Sequence, residues 1–585
     1  MIDFFLKIPL PVKRDYISKV ISLIDSDVRA SEEINLPENY TKYFHNNTLY
    51  VIIGDLIVPK QYSNREIYYR KIFSNFSASV LQKLKGHFYI LEICGDKPTV
   101  SAYNSLFSIF PIYYHYTDSE VFVSSKINFI KENSNKVFEF DKRFILESVL
   151  FNYPVFNTTY FKNIKLLDAN SYLSVRERLA VIRHLRIEDY YVEKTIPWRK
   201  SRKKLAGIFM SEVVDYFPDE KFNVALTGGL DGRTITSCAL ANGKKDLINA
   251  FCFGSEESLD VKYSKQMAKV TGIRYKAYEL TDNYIRNDSL QNGLKFIQNS
   301  EGFASFARAH YLFSAKMLSK KSKYMVTGNF GSDVLRGFNV AGVMASPLIV
   351  SLFEGNMNVG EFKRKIESSY EMSFLNIREF ESEVDALLKD IEMSSLFKSY
   401  SELTQNQRFY IFVFEEIFRK YFGPEIMNQA NFLYNRTPFL DFNFIKELLK
   451  TDLAGANQEF FVKNPLKRFR GQGLYPFIIK NTYPALGIIN TDNGYRPADL
   501  INPLGVFNIA RHYINKKTRK ANLPVDPFAV KESFRFNKKY FENVEIDEKT
   551  FNKNTIKQQF DGPKRKETLF IALSQNWWKS KNKGF

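Results

Sequence analysis

The chain has 585 residues, of which 44% are hydrophobic and 16% aromatic, and its formal net charge is +19 at neutral pH. Its length allows two large cores to be buried, and none of its apolar runs reaches the length of a membrane span. Three cysteines without CxxC spacing argue against a disulfide framework or a zinc site, so we expect a cytoplasmic protein.

The first third of the chain contains a series of strand-like segments. They include LKGHFYILEI from residue 84, AYNSLFSIFPIYYHY from 102 and TTYFKNIKLLDANSYLSV at 158 to 175. A first domain is predicted over residues 1–190. The basic run RKSRKK (199 to 204) reads as a linker or a first helical turn, and a second domain is predicted over 200–585.

The stretch VALTGGLDGRTITSCAL (224 to 240) predicts a buried strand, a glycine-rich turn and a helix. Gly228 and Gly229 allow a close backbone approach to a ligand, while Thr227, Asp231 and Thr234 place oxygen atoms at the helix N-terminus. The pattern indicates a phosphate site, although a purely structural turn is equally compatible with this motif alone. It matches neither GxGxxG nor the GxxxxGK[ST] loop.

A second motif of the same kind, SKYMVTGNFGSDVLRGF, occupies residues 322 to 338 and contains Gly328, Gly331 and Asp333. The intervening residues 246–280 read as strand, helix and strand, which predicts a doubly wound parallel sheet. Because parallel strands end at one edge of a sheet, Asp231 and Asp333 are predicted to hold one magnesium ion between them.

These motifs resemble those of the asparagine synthetase-like amidoligases, which include the β-lactam synthetases and lasso-peptide cyclases. TGGLDG is similar to that family's SGGLDS loop, and TGNFGSDVLRGF is similar to its SGEGADELFGGY segment. NRTPFLDFNFIKELL (435 to 449) resembles its RVPFLDH element, in the same order along the chain. The resemblance covers most of residues 81–500 and extends to the family's class II glutaminase (Ntn) domain at the amino terminus. It therefore implies an α+β sandwich fold for residues 1–190.

The resemblance implies an ATP-pyrophosphatase domain that joins a carboxylate to an amine. A substrate carboxylate, on a small molecule or a peptide, would attack the α-phosphorus of ATP to form an acyl-adenylate and magnesium pyrophosphate. An amine, either ammonia or an amine of the substrate, would then displace AMP. The implied cofactors are ATP and Mg²⁺, and the implied nucleotide-binding residues are Leu226, Thr227, Gly228, Gly229, Asp231, Gly232, Arg233, Phe253, Gly254, Gly328 and Gly331.

The sequence departs from the family at the glutaminase nucleophile. Glutamine-using members have a cysteine at the position that Ile2 occupies here. Cys94 lies in an apolar run and reads as a small buried hydrophobic residue rather than as a displaced nucleophile. We therefore expect a degenerate amino-terminal domain that does not release ammonia from glutamine.

Further departures affect the ligase site. Asn329 and Phe330 stand where family branches have a tyrosine or glutamate, so Glu416, or its neighbour Glu415, is the candidate base. A salt-bridged helix face is the competing interpretation of these two residues. Gly232 replaces a serine of the loop, and Arg233 is a candidate source of positive charge. The family's pyrophosphate lysine has no counterpart in residues 489–497, where Arg496 and, elsewhere, Lys467 are weak substitutes.

Two alternatives remain open at this stage. The alternatives to amide-bond formation are a catalytically silent nucleotide-binding or scaffold protein, and an ATP-dependent enzyme that modifies RNA. Nucleic acid is the less favoured partner, because RKSRKK and KRFR (467 to 470) lack interleaved aromatic residues, and Cys238 falls within the motif helix. The sequence leaves the oligomeric state and the identity of the two substrates open.

Overall fold

The computed structural model describes residues 2–134, 136–354, 358–397, 402–461, 464, 471–518, 528–561 and 566–582. The protein has an α/β fold with two antiparallel sheets, one parallel five-stranded sheet and many helices. Within these residues, no helix combines the length and the apolar character needed to cross a membrane.

Eleven strands form the two antiparallel sheets of the first third. They are β1 Phe5–Pro9, β2 Ile34–Asn35, β3 Tyr40–His45, β4 Thr48–Ile57, β5 Lys85–Cys94, β6 Thr99–Asn104, β7 Tyr113–Tyr116, β8 Glu120–Ser124, β9 Lys165–Leu166, β10 Ser171–Val175 and β11 Leu179–Arg183. The strand order is β2-β1-β8-β7-β9 in one sheet and β11-β10-β6-β5-β4-β3 in the other.

The two antiparallel sheets contribute to one core. Phe4, just before β1, contacts Tyr89 of β5 with ring centroids 4.9 Å apart. Alternate residues of β4 and β5 point to the opposite face of the larger sheet, as the two-residue period of a strand requires. There they are covered by Tyr68 and Phe73 of a short helix. The predicted α+β arrangement of this region is thus observed as two packed sheets with helices.

The parallel sheet is built from β12 Phe222–Ala225, β13 Ile248–Phe253, β14 Arg274–Tyr278, β15 Tyr324–Val326 and β16 Tyr434–Arg436. Its strand order is β14-β13-β12-β15-β16, and every described pairing is parallel. The chain therefore adds β13 and β14 on one side of β12 and then crosses to add β15 and β16 on the other. The alternating strands and helices predicted for residues 246–280 are confirmed.

Helices surround the sheets and form most of the carboxyl-terminal half. Their bounds are α1 Arg14–Asp25, α2 Arg65–Phe73, α3 Ala78–Leu81, α4 Ile127–Asn133, α5 Lys142–Phe151, α6 Trp198–Glu212, α7 Asp231–Ala241, α8 Leu259–Thr271, α9 Ser289–Asn299, α10 Ala309–Ser319, α11 Gly331–Leu335, α12 Pro347–Phe353, α13 Val359–Glu367, α14 Glu381–Met393, α15 Gln405–Phe412, α16 Gly423–Gln429, α17 Phe442–Leu448, α18 Leu474–Thr482, α19 Gly505–Thr518, α20 Val530–Phe536, α21 Lys538–Asn543, α22 Lys553–Gln559 and α23 Lys566–Asn582. A π-helical segment, Val413–Phe422, joins α15 to α16.

The two halves of the chain are held together by buried polar contacts as well as by a shared hydrophobic core. Arg436, at the end of β16, forms a two-pronged ion pair with Asp55 of β4, at 2.7 and 3.0 Å. Lys85 of β5 lies 2.7 Å from Asp215 and 3.3 Å from Asp441. The basic run at 199–204 is the first part of α6, as one of the two predictions for it stated.

Candidate functional site

The two glycine-rich motifs meet at the carboxyl ends of adjacent strands. β12 and β15 pair in parallel register, with Val224 opposite Val326. The first motif continues from β12 into α7, and the second continues from β15 into α11. Because the strand order changes direction between β12 and β15, their connections leave on opposite sides and open a crevice, the usual ligand position in such sheets.

Glycines of the second motif allow the two motifs to come into close contact. A Cβ atom placed on Gly328 would lie 2.5 Å from the Cβ of Asp231 and 2.7 Å from the backbone nitrogen of Gly232. A Cβ atom on Gly331 would lie 2.5 Å from Asp231 Oδ1. No side chain fits at these separations. Gly328 and Gly331 therefore bring the two motifs into contact.

Asp231 is held by hydroxyl groups. Ser332 Oγ donates a hydrogen bond to Asp231 Oδ2 at 2.8 Å, and the Tyr475 hydroxyl donates to Asp231 Oδ1. Burial raises the pKa of Asp231, while these two bonds favour its charged form. Tyr475 belongs to α18, some 240 residues further along the chain, so the sequence carried no signal for this contact.

Asp333 lies beside Asp231 in α11. Burial, and after it the negative charge of Asp231, raise the pKa of Asp333 to about 7, while Arg336 opposes the shift. In the described part of the chain, no lysine or arginine nitrogen forms an ion pair with either carboxylate. The two acids thus share a partly buried position near Arg336, which forms no ion pair with either of them.

This pair fits a magnesium ion that is bound together with a nucleotide. Mg²⁺ takes oxygen ligands and is usually held by one or two carboxylates plus substrate phosphates. The described residues contain no group of three or more His, Cys, Asp or Glu side chains that could hold a metal ion by themselves. Two carboxylates could hold such an ion only together with oxygen atoms of phosphate or water.

The Thr227–Gly229 turn makes internal contacts. Gly229 N donates to Thr227 Oγ1 at 3.2 Å, and Gly228 N donates to Asp260 Oδ1 at 2.8 Å. The backbone nitrogen of Asp492 approaches the Gly228 carbonyl at 3.3 Å. Asp260 and Asp492 thus flank the turn, two acidic residues that the sequence analysis did not identify. A ligand phosphate would have to displace the Asp260 bond to reach the Gly228 amide.

Gly232 and Arg233 serve the packing of α7. A Cβ atom on Gly232 would fall well under 3.0 Å from the Ala225 carbonyl oxygen, so the missing serine hydroxyl has no room here. The Arg233 side chain is fully buried and donates to the carbonyls of Gly228, Leu486, Ile489 and Asn490, at 2.6 to 3.2 Å. The guanidinium of Arg233 thus binds backbone carbonyls, and a contribution of its charge to a phosphate site stays a prediction.

Leu226, Phe253 and Gly254, three of the implied nucleotide-binding residues, lie at or near the ends of the neighbouring strands β12 and β13. Leu226 N donates to the Phe251 carbonyl at 2.8 Å, and Gly254 N donates to the Tyr278 carbonyl at 2.9 Å. Gly254 has φ of +143°, a conformation that favours glycine. The Phe253 ring is half-buried beside Tyr278. These residues border the same sheet edge as Asp231.

Glu416 lies on the π-helical segment Val413–Phe422. It forms ion pairs with Arg419 at 2.8 Å and Lys420 at 2.5 Å on its own π-helical segment. Glu415 pairs with Arg183 of β11, and both glutamates line a cleft of about 720 Å³ beside the first third of the chain. Phe418 and Phe422, further along the segment, pack on Phe330. The structure therefore favours the salt-bridged helix face over the predicted base.

The structure also shows how far the other residues singled out in the sequence are exposed. Ile2 is buried in the core, and Cys94 is partly buried at the end of β5. Burial raises the pKa of the Cys238 thiol to about 12. Arg496 is exposed, near Asp492 in sequence, and Lys467 lies outside the described residues. No model of a known protein family matches this chain.

Proposed function

We propose that the protein forms an amide bond at the expense of ATP, through an acyl-adenylate, as asparagine synthetase-like amidoligases do. The observation that carries the proposal is the partly buried pair Asp231 and Asp333 at the ends of β12 and β15, which forms no ion pair with the described residues. Two buried carboxylates are costly unless a cation binds them. Magnesium with ATP would meet this need and bring the reacting phosphate to the strand ends.

Each residue of the pair has a definite part in this proposal. Asp231 and Asp333 would hold the magnesium ion, which when bound offsets the negative charge of the polyphosphate. Ser332 and Tyr475 fix the orientation of the Asp231 carboxylate. In-line attack by a carboxylate oxygen on the α-phosphorus breaks the bond to the β-phosphate oxygen, so positioning supplies much of the rate. Leu226, Phe253 and Gly254 would border the adenosine.

The amine would come from solution or from the substrate. The family's nucleophilic cysteine is replaced by Ile2, whose aliphatic side chain is buried and cannot attack glutamine. The turn of the second motif offers Phe330, whose ring has no proton to exchange and packs against Phe418 at 4.7 Å between ring centroids. The base that would deprotonate the amine is left unassigned.

A nucleotide-binding scaffold without catalysis is the second candidate. It is favoured by Asp492, which lies at Gly228 in the chain region where the resemblance leads us to expect a lysine. It is also favoured by Arg233, whose charge is used by backbone carbonyls. The RNA-modifying alternative gains no such support. Cys238 is buried with a raised pKa, and Arg202 of the basic run packs on Trp198 and Phe477.

Exchange of labelled pyrophosphate into ATP tests the proposal. Aspartate, short acidic peptides and uronic acids would each be offered with magnesium to the wild type, to Asp231→Asn, and to Asp246→Asn as an exposed control. We expect acid-dependent exchange that falls at least about a hundredfold in Asp231→Asn and is unchanged in the control. No exchange with any acid, combined with magnesium-dependent ATP binding, would support the scaffold. Absence of both would overturn the nucleotide site.

A further inference from the structure

Helix α19 (Gly505–Thr518) exposes large apolar side chains. Leu504, which directly precedes the helix, is 70% exposed, Phe507 is 71% exposed and Ile514 is 60% exposed. Val137 and Met393, by contrast, are exposed apolar residues that are isolated in sequence. Single exposed apolar residues are ordinary on protein surfaces, whereas a group on one helix indicates an interaction surface.

The helix is attached to the protein by its other face. Gly505 is buried, and a Cβ atom there would lie 2.5 Å from the Asp499 carbonyl carbon. Asn508 Nδ2 donates to Asp499 Oδ1 at 3.2 Å, and the His512 ring lies against Gly494. Gly505, Ile509 and His512 are spaced four and three residues apart, so they form the inner stripe of the helix.

The outer stripe combines apolar and basic residues. Leu504, Phe507, Arg511 and Ile514 are spaced three and four residues apart, so they share the face opposite the inner stripe. The sequence from Ile501 to Lys520 contains five lysines and arginines and no acidic residue. Large apolar side chains on one face, accompanied by basic residues without acids, are typical of helices that lie in the interface of an anionic membrane.

We propose that the outer face of α19, formed by Leu504, Phe507, Arg511 and Ile514, docks on the surface of an anionic lipid bilayer. The apolar side chains would enter the boundary between headgroups and acyl chains, and the basic residues would contact lipid phosphates. The net charge of +19 adds a general attraction to the same surface. This inference does not depend on the proposed catalytic function.

Docking of this kind would also place the candidate site near the membrane. The His512 ring lies against Gly494, and Asp492 in the same turn contacts Gly228. The inner stripe of α19 is thus connected to the Thr227–Gly229 turn through the turn that contains Asp492 and Gly494. A substrate carried by the membrane surface would then reach the crevice without crossing the rest of the protein.

Co-sedimentation with vesicles tests the proposal. The full chain would be mixed with vesicles of phosphatidylcholine alone, or of phosphatidylcholine with phosphatidylglycerol. A triple variant Leu504→Ser, Phe507→Ser, Ile514→Ser removes the apolar face. The matched control Val137→Ser, Val340→Ser, Met393→Ser removes three exposed apolar residues from separate places. Circular dichroism and thermal unfolding would verify that each variant is folded.

We expect the wild type and the control to bind the anionic vesicles, and the triple variant to bind them at least about tenfold more weakly. Arg511→Glu should weaken binding to the anionic vesicles as well. Binding that is equal for both vesicle types, or that survives in the triple variant, would overturn the proposal. So would a wild type that stays in solution but forms dimers that the triple variant abolishes, since a second copy would then cover the face.

Discussion

Two groups of buried carboxylates differ in what surrounds them. At the contact between the halves of the chain, Asp215 and Asp441 both pair with Lys85, and Asp55 pairs with Arg436. At the ends of β12 and β15, Asp231 accepts two hydroxyl hydrogen bonds, and neither Asp231 nor Asp333 forms an ion pair in the described part of the chain. Compensated acids hold a structure together, whereas uncompensated acids lower its stability and suggest a ligand.

The largest expected effect comes from breaking the compensated group. Lys85→Met leaves Asp215 and Asp441 buried without their cation, so we expect the free energy of unfolding to fall by about 3–5 kcal/mol. Denaturant unfolding followed by circular dichroism measures this. Lys60→Met is the control, because Lys60 pairs with the exposed Asp219 and should cost about 1 kcal/mol or less. Equal losses in both variants would contradict the comparison.

For Asp231 and Asp333 we expect a substitution to raise the free energy of unfolding rather than to lower it. Asp333→Asn removes one of two adjacent buried charges, so in the absence of magnesium and nucleotide it should raise the free energy of unfolding by about 1–3 kcal/mol at pH 8. The matched change Asp215→Asn, beside Lys85, should lower it. A destabilised Asp333→Asn would mean that the structure already compensates the carboxylate.

Glu301 provides a further test of the comparison, because it is a buried acid outside the two glycine-rich motifs. Its side chain is 2% exposed, and burial raises its pKa to about 7, with Lys126 and Lys131 opposing the shift. A folded pKa above the unfolded one means that the folded state binds the extra proton, so stability falls as pH rises from about 4.5 to 7.

Glu301→Gln should remove part of this pH dependence. We expect the variant to be more stable than the wild type at pH 8, by about 2 kcal/mol, and the difference to shrink towards pH 5. Thermal unfolding across this range measures it, and Glu257→Gln, at an exposed residue, is the control. A difference that is constant with pH would show that Glu301 is already ionised without cost.

The sequence was sufficient for the parts of the fold that depend on local patterns. The apolar runs and glycines of residues 224–280 predict strands β12, β13 and β14 with their helices, because each is a continuous segment with its own periodicity. The contact between the motifs follows from parallel pairing, which places Asp231 near Asp333. Gly328 and Gly331 mark this contact in the sequence.

The missed features depend on residues distant in the chain. Tyr475 reaches Asp231 from α18, and Asp492 reaches Gly228 from a turn more than 260 residues away. Arg233 looked available for a phosphate because its neighbours in sequence are ligand-type residues. Its actual partners, the carbonyls of Leu486 and Ile489, become adjacent only in the fold. The ion pairs of Glu416 with Arg419 and Lys420 also required the structure, and the role of Glu416 as a base stays a prediction.

The central claim is that Asp231 and Asp333 form a magnesium-dependent nucleotide site. Calorimetric titration of ATP into the full chain, with magnesium or with EDTA, tests it most directly. We predict heat of binding for the wild type in magnesium only, and its loss in both Asp231→Asn and Asp333→Asn. Binding of equal strength in EDTA, or binding that persists in both folded variants, would contradict the assignment of these two aspartates as the metal ligands.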